Sequence, residues 1–177
     1  MEANSVTVRH LTLQDMTELR KASESVYLNK ELATWNEPTV EALLTKFPEG
    51  QICVVVDGRV VGCAFSLIIK YSDFGDDHTY SEITSNMTFD SHDPKGDSLY
   101  GIEVFIHSDY RGLRLARRLY DARKELCENL NLRAIIAGGR MPGYAQHSDK
   151  MSAKQYIEKI KNKELYDPVL SFQLAND

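Results

Sequence analysis

Leu99-Tyr-Gly-Ile-Glu-Val-Phe-Ile-His107, followed by Ser108-Asp-Tyr-Arg-Gly-Leu-Arg-Leu-Ala116, reads as a strand, a tight turn and the opening of a helix. The first run is rich in β-branched and aromatic residues, which favour extended backbone. From about Leu113 to Leu130, Leu115, Leu119, Ala122, Leu126 and Leu130 recur at helical spacing and predict one buried stripe. A helix entered through a basic turn points unpaired N–H groups and its positive dipole end outward, which suits a pyrophosphate. The turn at Arg111-Gly112 therefore predicts a nucleotide-like cofactor.

On either side of this stretch the punctuation is regular. Val6 to His10 reads as a first strand, and Thr12 with Asp15 resembles a capping box opening a helix that carries Leu13, Met16, Leu19 and Val26 on one side. A second helix is expected from about Val40 to Phe47, stopped by Pro48. Ile52 to Val56 and Val60 to Ile69 flank Asp57-Gly58-Arg59, a hairpin whose Asp-Gly step permits positive φ. Leu132 to Ala137 predicts a fifth strand, and Ser152 with Gln155 another capping box, opening a helix to about Lys161. The order, two antiparallel strands with helices and then β-α-β, predicts an α/β fold with a mixed sheet.

The chain has 177 residues, the size of one domain, so we expect a single domain over 1–177. A net charge of −5 with 27% charged residues leaves no electrostatic footprint for nucleic acid. The longest apolar run, Val60 to Ile69, is too short to span a bilayer, and Met1 to Ser5 lacks the pattern of a leader, so the expected location is cytoplasmic. Cys53, Cys63 and Cys127 have no metal-ligand spacing and read as free thiols.

Residues 71–98 interrupt the order with a long segment containing Asp73, Asp76, Asp77, His78, Asp90, His92, Asp93 and Asp97. Two readings stand: a lid over a substrate, or a solvated acidic insertion. A metal site built from these side chains is the weaker idea, and no metal is expected.

Arg111, Arg114, Leu115 and Ala116 match, in order, the pyrophosphate-turn signature of the GNAT superfamily of N-acetyltransferases, and the chain resembles that family. Arg114 stands where the family usually has its first glycine. Arg117 to Leu126, Gly138 to Tyr144 and Asp167 to Leu174 resemble one branch, in which the domain is fused in front of a carbon-nitrogen hydrolase (nitrilase) domain. The resemblance implies a GNAT-like mixed sheet with helices on both faces, splayed at strands four and five around acetyl-coenzyme A or another acyl-coenzyme A. It further implies that the backbone of Val104, Phe105 and Ile106 pairs with the pantetheine arm and polarises the thioester carbonyl. Arg111, Gly112, Leu113, Arg114, Leu115, Ala116 and Arg117 would hold the pyrophosphate.

Transfer to an amine needs a base, an oxyanion site and a proton for the leaving thiolate. Glu103 is the first candidate base and His107, whose unperturbed pKa of about 6.5 suits proton transfer, the second. Against this, Glu103 can equally face solvent or cap a neighbour, and His107 can merely end the strand. Many GNAT enzymes supply the acid from a tyrosine in the last helix, where this chain has Gln173, which cannot donate a proton usefully. Tyr120 and Tyr144 are candidates by residue type alone. Cys127 reads as a packing cysteine, and Arg140 as a carboxylate clamp or a loop cap.

In the family the last helix is followed by Gly-Phe and two more strands, whereas this chain ends at Asp177, so the expectation is a fragment lacking its C-terminal hairpin. The leading function is N-acetyltransfer to a small or peptide amine, its acceptor pocket built by Trp35 to Pro38 and residues 71–98. The alternative is a non-catalytic acyl-coenzyme A module that docks a nitrilase-type partner. A homodimer is the other expected association.

Overall fold

The structure, a computed structural model, describes residues 5–27 and 35–175; the reading of Met1 to Asn4 as leaderless lies outside the described residues, as do Asn176 and Asp177. The chain divides into two compact units, Met1–Ala137 and Gly138–Asp177. Among the described residues no helix is long and apolar enough to cross a membrane.

In the first unit the elements run β1 (Val6–His10), α1 (Met16–Val26), α2 (Glu37–Lys46), β2 (Gln51–Val56), β3 (Arg59–Ile69), α3 (Tyr80–Ile83), β4 (Ser98–Ile106), α4 (Leu115–Asn129) and β5 (Ala134–Ala137). The strands lie in the order β1-β2-β3-β4-β5. All neighbours are antiparallel except β4 and β5, which the α4 crossover makes parallel. This is the expected mixed sheet.

Local chemistry explains the boundaries. Thr12 and Asp15 form the expected capping box, but it opens a 3-10 turn, Leu13–Asp15, that leads into α1. Asn36 caps α2 by accepting from the Thr39 N–H at 3.0 Å, so that helix begins earlier than its apolar pattern suggested, with Pro38 in its first turn. Asp57 and Gly58 take φ of 48° and 83°, the left-handed pair that a two-residue hairpin demands.

Both faces of the sheet are covered. On one, Met16, Leu19 and Ala22 of α1 and Val40 and Leu43 of α2 pack on Cys53, Cys63, Phe65 and Leu67. On the other, Leu115 and Leu119 of α4 pack on Ile52, Val54, Val61 and Ala64. Fully burying a leucine such as Leu19 or Leu119 is worth roughly 2 kcal/mol, which is why β2 and β3 read as continuous apolar runs.

The expected α4 stripe is corrected beyond Leu119. The buried residues are Leu115, Leu119, Arg123 and Cys127 at strict four-residue spacing, while Leu130 lies past the helix end and is 40% exposed. Trp35, in the segment expected to build the acceptor pocket, is 3% exposed and packs on Phe65 with ring centroids 4.4 Å apart.

Residues 71–98 are not solvated throughout but anchored in the core. Ile83, Thr84 and Phe89 are fully buried, and Phe74 and Met87 pack on the same core as α1. Ser85, Asn86, Met87 and Phe89 adopt positive φ between 48° and 68°, a conformation unfavourable for side chains with Cβ and held here by the buried residues on either side. The histidines are structural too. His78 bridges Gly75 O and the Tyr100 hydroxyl at 2.6 and 3.0 Å, and His92 accepts from the Ile68 N–H while stacking on Phe47. Asp90 pairs with Lys46 and Asp97 with Arg133. Among the described residues no three His, Cys, Asp or Glu side chains gather as metal ligands.

The second unit is organised by Asp167. Its buried carboxylate accepts from the N–H groups of Gly143, Val169 and Leu170 and from the Tyr156 hydroxyl, all at 2.9 to 3.0 Å. Ser152 and Gln155 form the expected capping box at the head of α5 (Ala153–Lys161), and α6 (Leu170–Leu174) follows.

Candidate active site

β4 outruns β5. Their pairing covers Ser98 to Gly101 against Ala134 to Ala137 and stops, while β4 continues to Ile106. Beyond Gly101, β4 has no strand partner on its β5 side among the described residues.

A β-bulge lies at that point. Phe65 faces Glu103, Ser66 faces Gly101, and Ile102 is the extra residue. The bulge puts Ile102 into the same core as Tyr100 and Phe105, whereas Val104 and Ile106 pack with α4 on the other face. Arg123, 3% exposed, reaches the bulge from α4 and donates to Phe65 O at 3.0 Å, Glu103 O at 2.8 Å and Ser66 Oγ at 3.1 Å. A side chain at Gly101 would collide with this guanidinium.

One hydrogen bond sets the phase of the exposed backbone. His107 N–H donates to Val61 O at 2.7 Å, and because antiparallel pairs alternate, Phe105 and Glu103 also turn their amides toward β3. Val104 and Ile106 turn theirs to the open side. Phe105, expected beside a cofactor, instead spends its backbone on Cys63 and buries its ring in the core.

The Glu103 carboxylate bridges two donors. Oε2 accepts from the Tyr27 hydroxyl at 2.5 Å and Oε1 from the Val104 N–H at 3.1 Å. Tyr27, just past the end of α1, presents its ring edge-on to Phe105 at 6.5 Å. Sequence reasoning missed this partner, which lies 76 positions from Glu103. β4 ends at Ile106, and His107 Nδ1 accepts from the Asp109 N–H at 3.2 Å, capping the turn Ser108–Tyr110.

The turn into α4 is laid open in the expected way. Gly112 has φ 83°, and Arg114, the residue before the helix, takes the left-handed φ 55° that a glycine would adopt freely. No side chain caps the helix and its first turn holds no acid, while Arg111, Arg114, Arg117 and Arg118 are exposed. Leu113 and Leu115 face inward as anchors against the α4 core and Ala116 is half-buried, so their share in the turn is through backbone. Unpaired N–H groups, a positive dipole end and exposed guanidinium groups together make a place for a polyanion.

The remaining candidates have structural roles. Burial pushes the Cys127 thiol pKa up, and its Sγ donates to Leu132 O. Tyr144 donates to Met151 O at 3.1 Å and packs on Tyr156, and Gln173 lies against Gly139. Tyr120 lies 5.9 Å from the Arg123 guanidinium.

A model described as the Acetyltransferase (GNAT) family matches residues 13–147. The chain is 37% identical over 171 residues to "Probable hydrolase YhcX" of Bacillus subtilis (strain 168), covering 97% of this chain and 33% of that protein; it thus spans about a third of that relative. It is 31% identical over 173 residues to "Uncharacterized N-acetyltransferase YkwB" of the same bacterium, covering 96% of this chain and 76% of that one. Among solved structures it is similar to the loading GNATL domain of CurA from Lyngbya majuscula, with TM-score 0.81, 20% identity and coverage of 97% and 83%. It is also similar to the GphF GNAT-like decarboxylase in complex with isobutyryl-CoA, with TM-score 0.66, 16% identity and coverage of 96% and 84%. At these identities the structural likenesses concern the fold.

Proposed function

The chain belongs to the acetyltransferase (GNAT) family, and from that premise we propose that it transfers the acyl group of acetyl-coenzyme A, or another acyl-coenzyme A, to a primary amine. The observation that carries this reading is the open edge of β4. The Val104 and Ile106 amides face the side that β5 has vacated, and the same strand leads straight into the uncapped, arginine-rich start of α4. The thioester arm would lie along that edge, with a main-chain N–H to hold the oxyanion, and the pyrophosphate would lie at Arg111 to Arg117. Glu103 takes the amine proton.

Thiol release from acetyl-coenzyme A, followed across a panel of amines, tests the reading. Wild-type protein releases thiol only when an amine is added, and Glu103→Gln lowers the rate at least a hundredfold, in line with what general bases contribute. Amine-independent release of CO2 from malonyl-coenzyme A would instead favour decarboxylation.

The second reading is an acyl-coenzyme A-binding module that docks a nitrilase-type domain C-terminal to it. The chain's coverage of about a third of a relative called a probable hydrolase favours it. Binding without turnover, in wild type and Glu103→Gln alike, is its signature.

A further inference from the structure

We propose that Tyr27 is the general acid of the reaction and that it and Glu103 work as one acid–base pair. This rests on the transferase reading above. Two donors that acyl transfer needs are strung on a single carboxylate: the Val104 N–H on Oε1, at 3.1 Å, and the Tyr27 O–H on Oε2, at 2.5 Å. The Val104 N–H points to the open side of β4, so a thioester oxygen that takes this donor must displace Glu103 Oε1. Displacement frees a carboxylate lone pair beside the reacting carbon, while Oε2 keeps its hold on the phenol.

The proton inventory closes within the pair. The amine nitrogen bonds to the carbonyl carbon and Glu103 accepts the N–H proton. The carbon–sulfur bond then breaks, and the Tyr27 hydroxyl gives its proton to the departing sulfur. Glu103, now a carboxylic acid, returns the amine proton to the phenolate across their hydrogen bond. Both residues end as they began, and the products are amide and free thiol. Tyr27 is also held where it must act, with its N–H on Ser23 O at 3.2 Å and its ring against Phe105. Gln173, in the last helix, offers no such proton.

Tyr27→Phe removes one hydroxyl and keeps the ring. Expected with acetyl-coenzyme A is a fall in kcat of at least a hundredfold, an unchanged KM for the donor and loss of the descending alkaline limb of the pH profile. An acetyl thioester of an aromatic thiol, whose thiolate leaves without a proton, should react equally fast with variant and wild type. Equal losses on both donors would show that Tyr27 only positions Glu103 and would overturn the proposal, as would no loss on either. Absence of amine-dependent turnover in the wild type overturns the transferase reading and this proposal together. Calorimetric binding of acetyl-coenzyme A by the variant verifies that it is folded.

Discussion

The guanidinium of Arg123 donates a 2.8 Å hydrogen bond to the main-chain carbonyl of Glu103, tying the residue that gives the candidate site its carboxylate to helix α4. The same helix opens at the arginine-rich turn Arg111 to Arg114, so one element positions both parts of the candidate site. Burial pulls the Arg123 pKa down, with the nearby Tyr120, Cys63 and Glu103 opposing that pull, and its donors are spent on carbonyl and hydroxyl oxygens at the bulge.

Arg123→Met would leave the Phe65 and Glu103 carbonyls and the Ser66 hydroxyl without this donor in a buried place. The expected cost is about 2 kcal/mol in urea unfolding, with Arg123→Lys recovering part of it. A variant as stable as wild type would show that the bulge needs no donor from α4.

Arg114→Gly separates backbone from charge. Glycine takes φ 55° without strain, so stability should rise by about 1 kcal/mol. Affinity for acetyl-coenzyme A should nevertheless fall about tenfold through loss of a charge-assisted contact. Thermal unfolding and calorimetry read the two effects separately.

Phe89→Ala tests whether residues 71–98 belong to the core. Phe89 is fully buried among residues that pack on α1, and its truncation should cost about 3 kcal/mol. A solvated insertion would lose almost nothing.

Asp167 gives the second unit a pH dependence. Burial pushes its carboxyl upward, but the Leu170 and Gly143 amides, the Tyr156 hydroxyl and the Val169 amide outweigh burial and hold its pKa below the ordinary carboxylate value. A depressed folded pKa contributes stability that is present above the unfolded value, about 3.9, and is lost as pH falls through the folded one. Acid unfolding followed below pH 4 should therefore show this loss in wild type and lack it in Asp167→Asn.

Much of the fold was legible because its signals are local. The Thr12–Asp15 and Ser152–Gln155 boxes, the Asp57-Gly58 turn and the Arg111-Gly112 entry each declare themselves within four residues. The rest depends on contacts that no short window contains. Arg123 interrupts the apolar stripe of α4, so periodicity passes over it although the bulge at Ile102 buries it. Tyr27 meets Glu103 only because α1 packs across β4. Ile83 and Phe89 lie in a stretch without period, where isolated apolar residues among acids and glycines look solvated. Of the two sequence readings of His107, as second base and as a strand end, the contact visible in the structure is the cap it forms on the turn after β4, which residue type does not announce.

Calorimetric titration with acetyl-coenzyme A asks whether the open edge of β4 and the start of α4 bind an acyl-coenzyme A, comparing wild type with the double variant Arg111→Ala, Arg114→Gly. The expected result is saturable one-to-one binding by the wild type, weakened at least tenfold in the double variant. Binding of equal strength in the two proteins, or no heat from folded wild type, would contradict it.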